Sequence, residues 1–157
     1  MSTRKITYAA STAITCTLDA LASAAARECT AVDNGTNLYL DAELSLAIPL
    51  AVGTPTASTA AINVYFYSTE DGTNFLDNAT GSDAAVTLRS PTNLLGPAVF
   101  PTPTAGALTY KCVVASIARM FGGILPRKWG FVVENQTGLA FGTGCVKTYT
   151  GITETIA

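Results

Sequence analysis

Residues 36–48 read TNLYLDAELSLAI, and the spacing of the apolar side chains in this stretch indicates the fold class. An apolar residue stands at every second position, which is the period of a β-strand with one face buried and the other in solvent. A helix would instead repeat its apolar positions every three to four residues. Pro49 and the loop AVGTPTAST are predicted to end the strand, because proline cannot donate to a sheet ladder. The alternating residues are Leu38, Leu40, Ala42, Leu44, Leu46 and Ile48.

Most of the remaining chain is also predicted to form strands, separated by proline and glycine turns. The segment 90–106 contains four prolines and is predicted to be a loop or an edge strand. The alanine-rich segment 18–28 has helical propensity, but its neighbours are strands, and a strand, or a strand and a turn, is predicted there. Further strands are predicted at residues 5–17, 61–68, 85–89, 108–120, 128–135 and 139–149. The sequence thus predicts one all-β domain over residues 1–157, an antiparallel β-sandwich of jelly-roll type with seven to nine short strands and a short N-terminal arm at about residues 1–6.

The composition limits the classes of function. Charged residues make up 13% of the chain and the net charge is −2, whereas soluble proteins usually carry roughly 25% charged residues. The chain therefore lacks the basic surface by which proteins hold DNA or RNA, and we expect no nucleic-acid partner. It has no run of about 18 apolar residues, so we expect no membrane span. It also has no apolar block of the length of a secretory signal, so we expect the protein to be synthesised in the cytoplasm. A surface this poor in charge is suited to burial against other proteins.

The residue types of common active sites are scarce. No histidine occurs in the sequence, which removes Ser-His-Asp and Cys-His catalysis and most zinc sites. The four cysteines have no C-x-x-C spacing, so we expect no metal and no cofactor. Buried thiols in a reducing compartment are predicted; if disulfides form, the candidate pairs are Cys16–Cys29 and Cys112–Cys145. No catalytic residue is predicted.

The polar segment TEDGTN, residues 69–74, follows the predicted strand 61–68. Its carboxylates could gather a weakly held cation, but acidic residues do not stand at the offsets that a calcium loop requires. Asp71-Gly72 is a turn signal, in which glycine supplies the positive φ. The segment is therefore predicted to be a hairpin tip or an inter-strand loop and not a catalytic site.

Three groups of side chains are candidates for contact with other molecules. Three tyrosines at predicted outward strand positions could form a subunit contact or stack on sugars. Two basic residues of the N-terminal arm could reach an acidic neighbouring subunit. In GGILPRKW, residues 122–129, an arginine and a tryptophan could bind an anion, although the glycines and proline are more typical of a bend with the tryptophan closing one end of the sandwich. The candidate contact residues are Arg4, Lys5, Tyr39, Tyr65, Tyr67, Arg127 and Trp129.

Four blocks, VDNGTNLYLDAEL, YSTEDGTNF, TLRSPTNL and FGGILPRKWGFVVENQTG, stand in this order along the chain. In this combination the chain resembles a group of small virion proteins of tailed bacteriophages, over about residues 18–151. The resemblance implies synthesis in the bacterial host cytoplasm, assembly into the virion and no catalysis. It brings no functional residues with it.

Within a virion two places compete. One is the capsid exterior, where a decoration or cement protein would bind the major capsid protein, most commonly as a trimer or dimer at a symmetry axis; a homo-oligomer, with a trimer favoured, is the expectation. The other is the tail or neck, as a collar, adaptor or fibre component. A carbohydrate-binding module is a third alternative.

Overall fold

The computed structural model describes residues 3–55, 59–77, 79–89, 92–102 and 108–156. These residues form a nearly all-β structure of two antiparallel sheets, with one short 3-10 helix at Ala118–Phe121. The strands are β1 Arg4–Tyr8, β2 Thr12–Ala13, β3 Ala26–Glu28, β4 Val32–Asp33, β5 Asp41–Pro49, β6 Ala61–Thr69, β7 Ala84–Val86, β8 Leu95–Pro101, β9 Thr109–Val114, β10 Lys128–Gln136 and β11 Val146–Ile156.

The strand order is that of a jelly roll, as predicted. The first sheet, called sheet A, has the order β1-β11-β5-β9, with β2 also on β11; the second, called sheet B, has the order β7-β3-β10-β6-β8, with β4 on β10. Early and late strands therefore pair in a nested series. In sheet A, β1 pairs with β11 and β5 with β9; in sheet B, β3 pairs with β10 and β6 with β8. The described residues contain eleven strands, more than the seven to nine predicted, because four of them are only two or three residues long.

The core lies between the two sheets and confirms the alternation from which the fold class was predicted. The inward residues of β5, from Ala42 to Ile48, are at most 1% exposed. They face the inward side chains of β6 and β10 in sheet B, which belong to the same apolar cluster. The inward residues are Ala42, Leu44, Leu46 and Ile48 from sheet A, and Ile62, Val64, Phe66, Phe131 and Val133 from sheet B.

The first part of the predicted strand 36–48 is wrong, because a side chain competes with the sheet ladder. Asn34 Oδ1 accepts the backbone N–H of Tyr39 at 2.8 Å, and Asn34 Nδ2 donates to the carbonyl of Tyr39 at 2.9 Å. Leu38 then adopts a positive φ of 53°. Leu38 and Leu40 are 71% and 52% exposed, and the strand begins only at Asp41.

Other boundaries also differ from the predictions. The strand predicted at 108–120 ends at Val114, because a 3-10 helix follows at Ala118–Phe121. The strand predicted at 139–149 begins only at Val146 and runs on to Ile156. In segment 18–28 the alternative of a strand and turns is confirmed, with the strand confined to Ala26–Glu28. Residues 4–6 of the predicted arm belong to a strand, β1, which pairs with β11.

The proline-rich segment forms an edge strand, as predicted. β8 lies at the edge of sheet B beside β6, where the backbone N–H that a proline lacks is not needed by a further strand. The Gly96–Pro97 peptide bond is cis. Residues 90, 91 and 103–106 of this predicted segment lie outside the described residues.

The cysteines divide into a bonded pair and two free thiols. Cys16 and Cys29 form a disulfide, with their Cα atoms 4.5 Å apart, so the prediction of a free thiol is wrong for these two residues and the alternative pairing holds. Cys112 and Cys145 are free and buried, as predicted. Burial raises the pKa of both thiols to about 12, which keeps them protonated and unreactive at neutral pH.

Candidate interaction surfaces

The two sheets differ in what covers their outer faces. On sheet B, described residues of the connection between β6 and β8 (70–94, which also contains β7) pack over the outer face, where Tyr67 and Val132 form a second apolar cluster with side chains such as Phe75 and Leu76. Glu28, which is 1% exposed, accepts backbone N–H groups from Thr80 and Gly81 and so ties the connection to β3. Tyr67 and Val132 are therefore buried although they point away from the core between the sheets.

The outer face of sheet A, in contrast, is not covered by any other described element. We call it the open face. Its exposed apolar residues lie on β1, β9 and β11, and between β9 and β11 the strand β5 presents Glu43, Ser45 and Ala47 outward. Opposite charges are also interspersed on it, with Arg4 bonded to Glu154 at 3.2 Å. The exposed large apolar residues of the open face are Ile6, Tyr8, Val113, Val146 and Ile156.

At one end, the open face continues onto a two-stranded ribbon. β11 pairs with β5 as far as Ile152, and among the described residues only β1 accompanies it from there to Ile156. All five residues of β1 are exposed. The register gives the ribbon two unlike sides, one carrying Arg4, Ile6, Tyr8, Ile152, Glu154 and Ile156, and the other carrying Lys5, Thr7, Thr153 and Thr155. The mainly apolar side is the one that belongs to the open face.

A second exposed apolar surface lies at the end of the sandwich from which the ribbon extends. We call it the Arg127 surface. It consists of two adjoining hollows of about 580 Å³ and 410 Å³, which share Leu125 and Arg127. The larger is lined in addition by Ser68, Glu70, Leu95, Met120, Phe121, Gly122, Ile124 and Pro126, and the smaller by Asn34, Gly35, Leu38 and Tyr39.

Local sequence explains how this surface forms. The turn held by the bonds between Asn34 and Tyr39 directs Leu38 outward. The N–H of Leu125 bonds to the carbonyl of Leu40, which joins the loop before β5 to the loop before β10. The 3-10 helix ends at Gly122, whose positive φ lets its N–H reach back to the last carbonyls. Ile124 is then left 76% exposed.

The Arg127 side chain lies along the surface. Its Nε would be 3.4 Å from a Cβ placed on Gly35, so the absence of a side chain at Gly35 gives the guanidinium its position. Among the residues that the structure describes, no carboxylate lies within ion-pair distance of Arg127. Glu70 lines the same hollow, and Asp33 lies on the other side of Gly35. A cation beside apolar side chains suits a partner that offers a carboxylate next to an apolar group.

The predicted contact residues fall into three groups. Arg4 and Lys5 are exposed on the ribbon. Tyr39 and Arg127 come together on the Arg127 surface, where the ring of Tyr39 lies over Gly151. Tyr65 is half-buried elsewhere, on the outer face of sheet B.

Tyr67 and Trp129 are corrections, because both are completely buried and neither can touch a partner. The connection 70–94 covers Tyr67, whose hydroxyl donates to the carbonyl of Cys29 at 2.5 Å. Trp129 lies between the sheets, edge to face with Tyr149 of sheet A at 5.7 Å. Sequence alternation places Tyr67 outward, and it does point outward from the sandwich, but the covering connection is not visible in the pattern.

Tyr65 belongs to a polar cluster that satisfies itself. Glu134 Oε2 accepts Asn63 Nδ2 at 2.9 Å and the Tyr65 hydroxyl at 3.3 Å, and Gln136 donates to Glu134 Oε1 at 2.9 Å. Burial, with the nearby Glu134 charge, raises the pKa of Tyr65. Because these groups already bond to one another, the cluster offers little to a sugar.

The TEDGTN segment is an inter-strand loop, as predicted. It follows β6, and the next strand, β7, is not adjacent to β6 in the sheet, so the segment is not a hairpin tip. Asp71 Oδ1 accepts the N–H groups of Asn74 and Thr73, and these bonds hold the pKa of the Asp71 carboxyl far below its ordinary value. Gly72 has a φ of 79°. The carboxylate thus serves the turn.

Within the described ranges, no group of three or more His, Cys, Asp or Glu side chains is placed to hold a metal ion. The helical structure found there also lacks the length and hydrophobicity needed to cross a bilayer.

Comparison with known proteins adds no family. No family model matches the chain, and no curated protein matches it. The assignment of function therefore depends on the open face and the Arg127 surface, which together carry seven of the eleven exposed large apolar residues in the described part of the chain.

Proposed function

We propose that the protein is a non-enzymatic structural component of a tailed-bacteriophage virion, and that it decorates and stabilises the capsid shell. It is made in the host cytoplasm and bound to the particle through non-covalent contacts with the major capsid protein. The sequence blocks that resemble phage virion proteins support the setting, and the surface supports the role.

The open face of sheet A is the observation that carries this proposal. The connection 70–94 covers Tyr67 and Val132 on the outer face of sheet B, whereas no described element covers the outer face of sheet A and its exposed apolar residues. Val113 and Val146 on the body of this face are 48% and 53% exposed. Exposed apolar side chains on an uncovered sheet face are typical of a contact with another protein.

The shape of the open face suits a flat partner. Its strands present threonines and aliphatic residues together with charged side chains such as Glu43 and Lys111, and a stable contact needs to bury about 1,200–2,000 Å² in total. The rigid sheet also adds little ordering cost on binding. In this proposal the open face lies against the shell and the protein is a homo-oligomer, with a trimer favoured.

Substitutions on the open face test the proposal. The double variant Val113→Lys and Val146→Lys places two charges in the contact, and we expect purified variant protein to lose binding to shells that lack it, whereas wild-type protein binds in a saturable manner. Both positions are exposed, so folding should survive, which circular dichroism and a thermal melt check. Asn63→Lys on the other outer face is the matched control and should bind as wild type.

The same binding experiment separates shell from tail. Saturation at hundreds of copies per particle agrees with decoration. A handful of copies bound only at the neck or tail would replace the shell assignment with the tail alternative.

A further inference from the structure

The ribbon and the Arg127 surface share one end of the sandwich. β5 begins at Asp41 beside Ile152, where β11 leaves the sheet, and the N–H of Leu40 bonds to the carbonyl of Ile152 at 2.9 Å. The Leu40 carbonyl in turn accepts the N–H of Leu125, in the middle of the Arg127 surface. An exposed apolar ribbon therefore starts next to an exposed apolar hollow.

Neither feature is complete by itself. A ribbon of two strands is only marginally stable in water unless a further surface covers its apolar side. Ile6 and Ile156 on that side are 64% and 71% exposed, and Ile124 in the hollow is 76% exposed. Each of these side chains leaves most of its apolar area in water, and mutual burial would recover about 25 cal/mol per Å².

The ribbon of a molecule cannot fill the hollow of the same molecule. The side that carries Ile6 and Ile156 belongs to the outer face of sheet A, directed away from sheet B. The larger hollow is lined by Ser68 and Leu95, which are residues of sheet B. The two apolar surfaces therefore face in different directions, and only a second copy can bring them together.

The charges of the two surfaces complement each other. The ribbon carries one base and one acid, Arg4 and Glu154, on its apolar side. The hollow also carries one of each, Arg127 and Glu70. A ribbon seated in the hollow can place Glu154 toward Arg127 and Arg4 toward Glu70, so that no like charges have to meet.

We propose that the ribbon of one copy docks into the larger hollow of the Arg127 surface of a second copy. The contact is heterologous, since it joins two different surfaces, and it closes into a ring when the rotation between copies permits. The inference rests on the proposed function, because it names how the decorating oligomer is held together. It also leaves the open face on the sheet body free for the shell.

Cross-linking between two differently labelled batches tests the contact. One batch carries Ile124→Cys and the other Ile156→Cys; both positions are exposed, so folding should be retained. After mixing and mild oxidation, we expect a covalent dimer containing one chain of each kind, and little dimer in either batch alone. Val146→Cys mixed with Ile156→Cys is the matched control, since Val146 lies on the open face, and should cross-link at least tenfold less.

Charge reversal gives a second measurement on the same contact. By light scattering, wild-type protein should exceed its monomer mass of 16.2 kDa, and Arg127→Glu should weaken association by about tenfold, which corresponds to about 1.4 kcal/mol. Combining Arg127→Glu with Glu154→Arg should restore part of the loss.

A wild-type monomer at tens of micromolar, or equal cross-linking of the Val146 control, overturns the proposed contact. Neither result touches the shell assignment, which is tested by binding to particles. Conversely, a ring that forms in solution but is absent from particles upholds the contact and overturns the shell assignment.

Discussion

At the scale of single residues, one ion pair joins three segments of the chain that are far apart in sequence. Arg27 Nε donates to Asp83 Oδ1 at 2.6 Å, and Thr17 donates to the same carboxylate from both its backbone N–H and its hydroxyl. Partial burial raises the pKa of Asp83, but the bonds from Arg27 and Thr17 outweigh it, and the pKa falls to about 2. Asp83 thus joins the connection 70–94 to residues from two other segments.

The depressed pKa makes this contribution depend on pH. A carboxyl whose pKa is lower in the folded than in the unfolded protein stabilises the fold above the unfolded value, here 3.8, and loses that effect as pH falls through the folded value of about 2. Asp83→Asn should therefore lower the free energy of unfolding by a constant amount from pH 7 to about 4, and by less toward pH 2. Urea titrations at several pH values measure this, and a difference that stays constant down to pH 2 contradicts it.

The disulfide is a second prediction at this scale. Cys16–Cys29 spans 13 residues of sequence, and a crosslink over a loop of this size stabilises a fold by about 2–4 kcal/mol. Replacing both cysteines with serine should lower the free energy of unfolding by that amount. Alkylation in denaturant without reductant should label two of the four cysteines. The Cys112→Ala, Cys145→Ala variant is the control and should show no labelling; labelling of all four wild-type cysteines would exclude the bond.

At the scale of elements, the covered face of sheet B depends on two special positions. Glu28 receives the backbone N–H groups of Thr80 and Gly81 at 2.6–3.0 Å. Tyr67 can lie flat across β10 only because Gly130 stands opposite it without a side chain. The long connection between β6 and β8 is therefore held on sheet B by specific contacts of Glu28 and Tyr67.

The first element-scale prediction concerns Glu28. In Glu28→Gln an NH2 group, which is a donor, replaces one of the two carboxylate oxygens that accept N–H groups. We expect the free energy of unfolding to fall by about 2–3 kcal/mol, because hydrogen bonds to charged groups contribute about 1.5–3 kcal/mol and unpaired buried donors add to the loss. Hydrogen exchange should become faster at residues 80 and 81 before it does so in β5. Unchanged protection of those two amides would show that the carboxylate does not hold the connection.

The second concerns Gly130. A methyl group at Gly130→Ala would overlap the Tyr67 ring, and overpacking of this kind costs about 1–3 kcal/mol. Adding Tyr67→Leu removes the overlap, so the effect of Gly130→Ala should be smaller in that background. Chemical denaturation of the wild type, the two single variants and the double variant gives the coupling free energy between Gly130 and Tyr67, and additive effects would contradict the contact.

Prediction from sequence succeeded at this scale where side-chain alternation determines the structure. The pattern from Ala42 to Ile48 sufficed for a strand with one buried face. It failed at Leu38 and Leu40, which keep the same period, because Asn34 bonds to the backbone of Tyr39 and ends the ladder. Local side-chain bonds of this kind do not alter the apolar period and so leave no trace in it.

The candidate contact residues show the same limit. Arg127 was singled out because it stands beside glycines and a proline, which are typical of an exposed bend. Tyr39 was singled out as an outward strand position, although the strand begins only at Asp41. Tyr67 and Trp129 were misplaced because their burial depends on segments far away in sequence, the connection 70–94 and β11. The open face could not be foreseen either, since alternation predicts that one face of a strand is outward but not whether another element covers it.

At the scale of the whole molecule, two surfaces are proposed to have separate tasks. The body of the open face is proposed to bind the capsid shell, and the ribbon with the Arg127 surface is proposed to join copies. A low charge content suits both, because few charges need to be desolvated when these surfaces are buried. The buried thiols and the self-bonded polar clusters serve the fold itself.

Removal of the protein from the particle should reveal its effect on the shell. Virions assembled without it should lose their DNA at a lower temperature or at lower osmotic stress than complete virions, and added wild-type protein should restore resistance. The Val113→Lys, Val146→Lys variant should not restore it, because it cannot seat on the shell. Equal resistance with and without the protein would contradict a stabilising role.

Imaging of intact particles tests whether the protein decorates the capsid shell. Cryo-electron microscopy of the virion that contains this protein should show hundreds of copies of the jelly roll on the outside of the capsid, with the open face of sheet A toward the major capsid protein. Density for the protein confined to the tail or neck, or its absence from purified particles, would contradict the account.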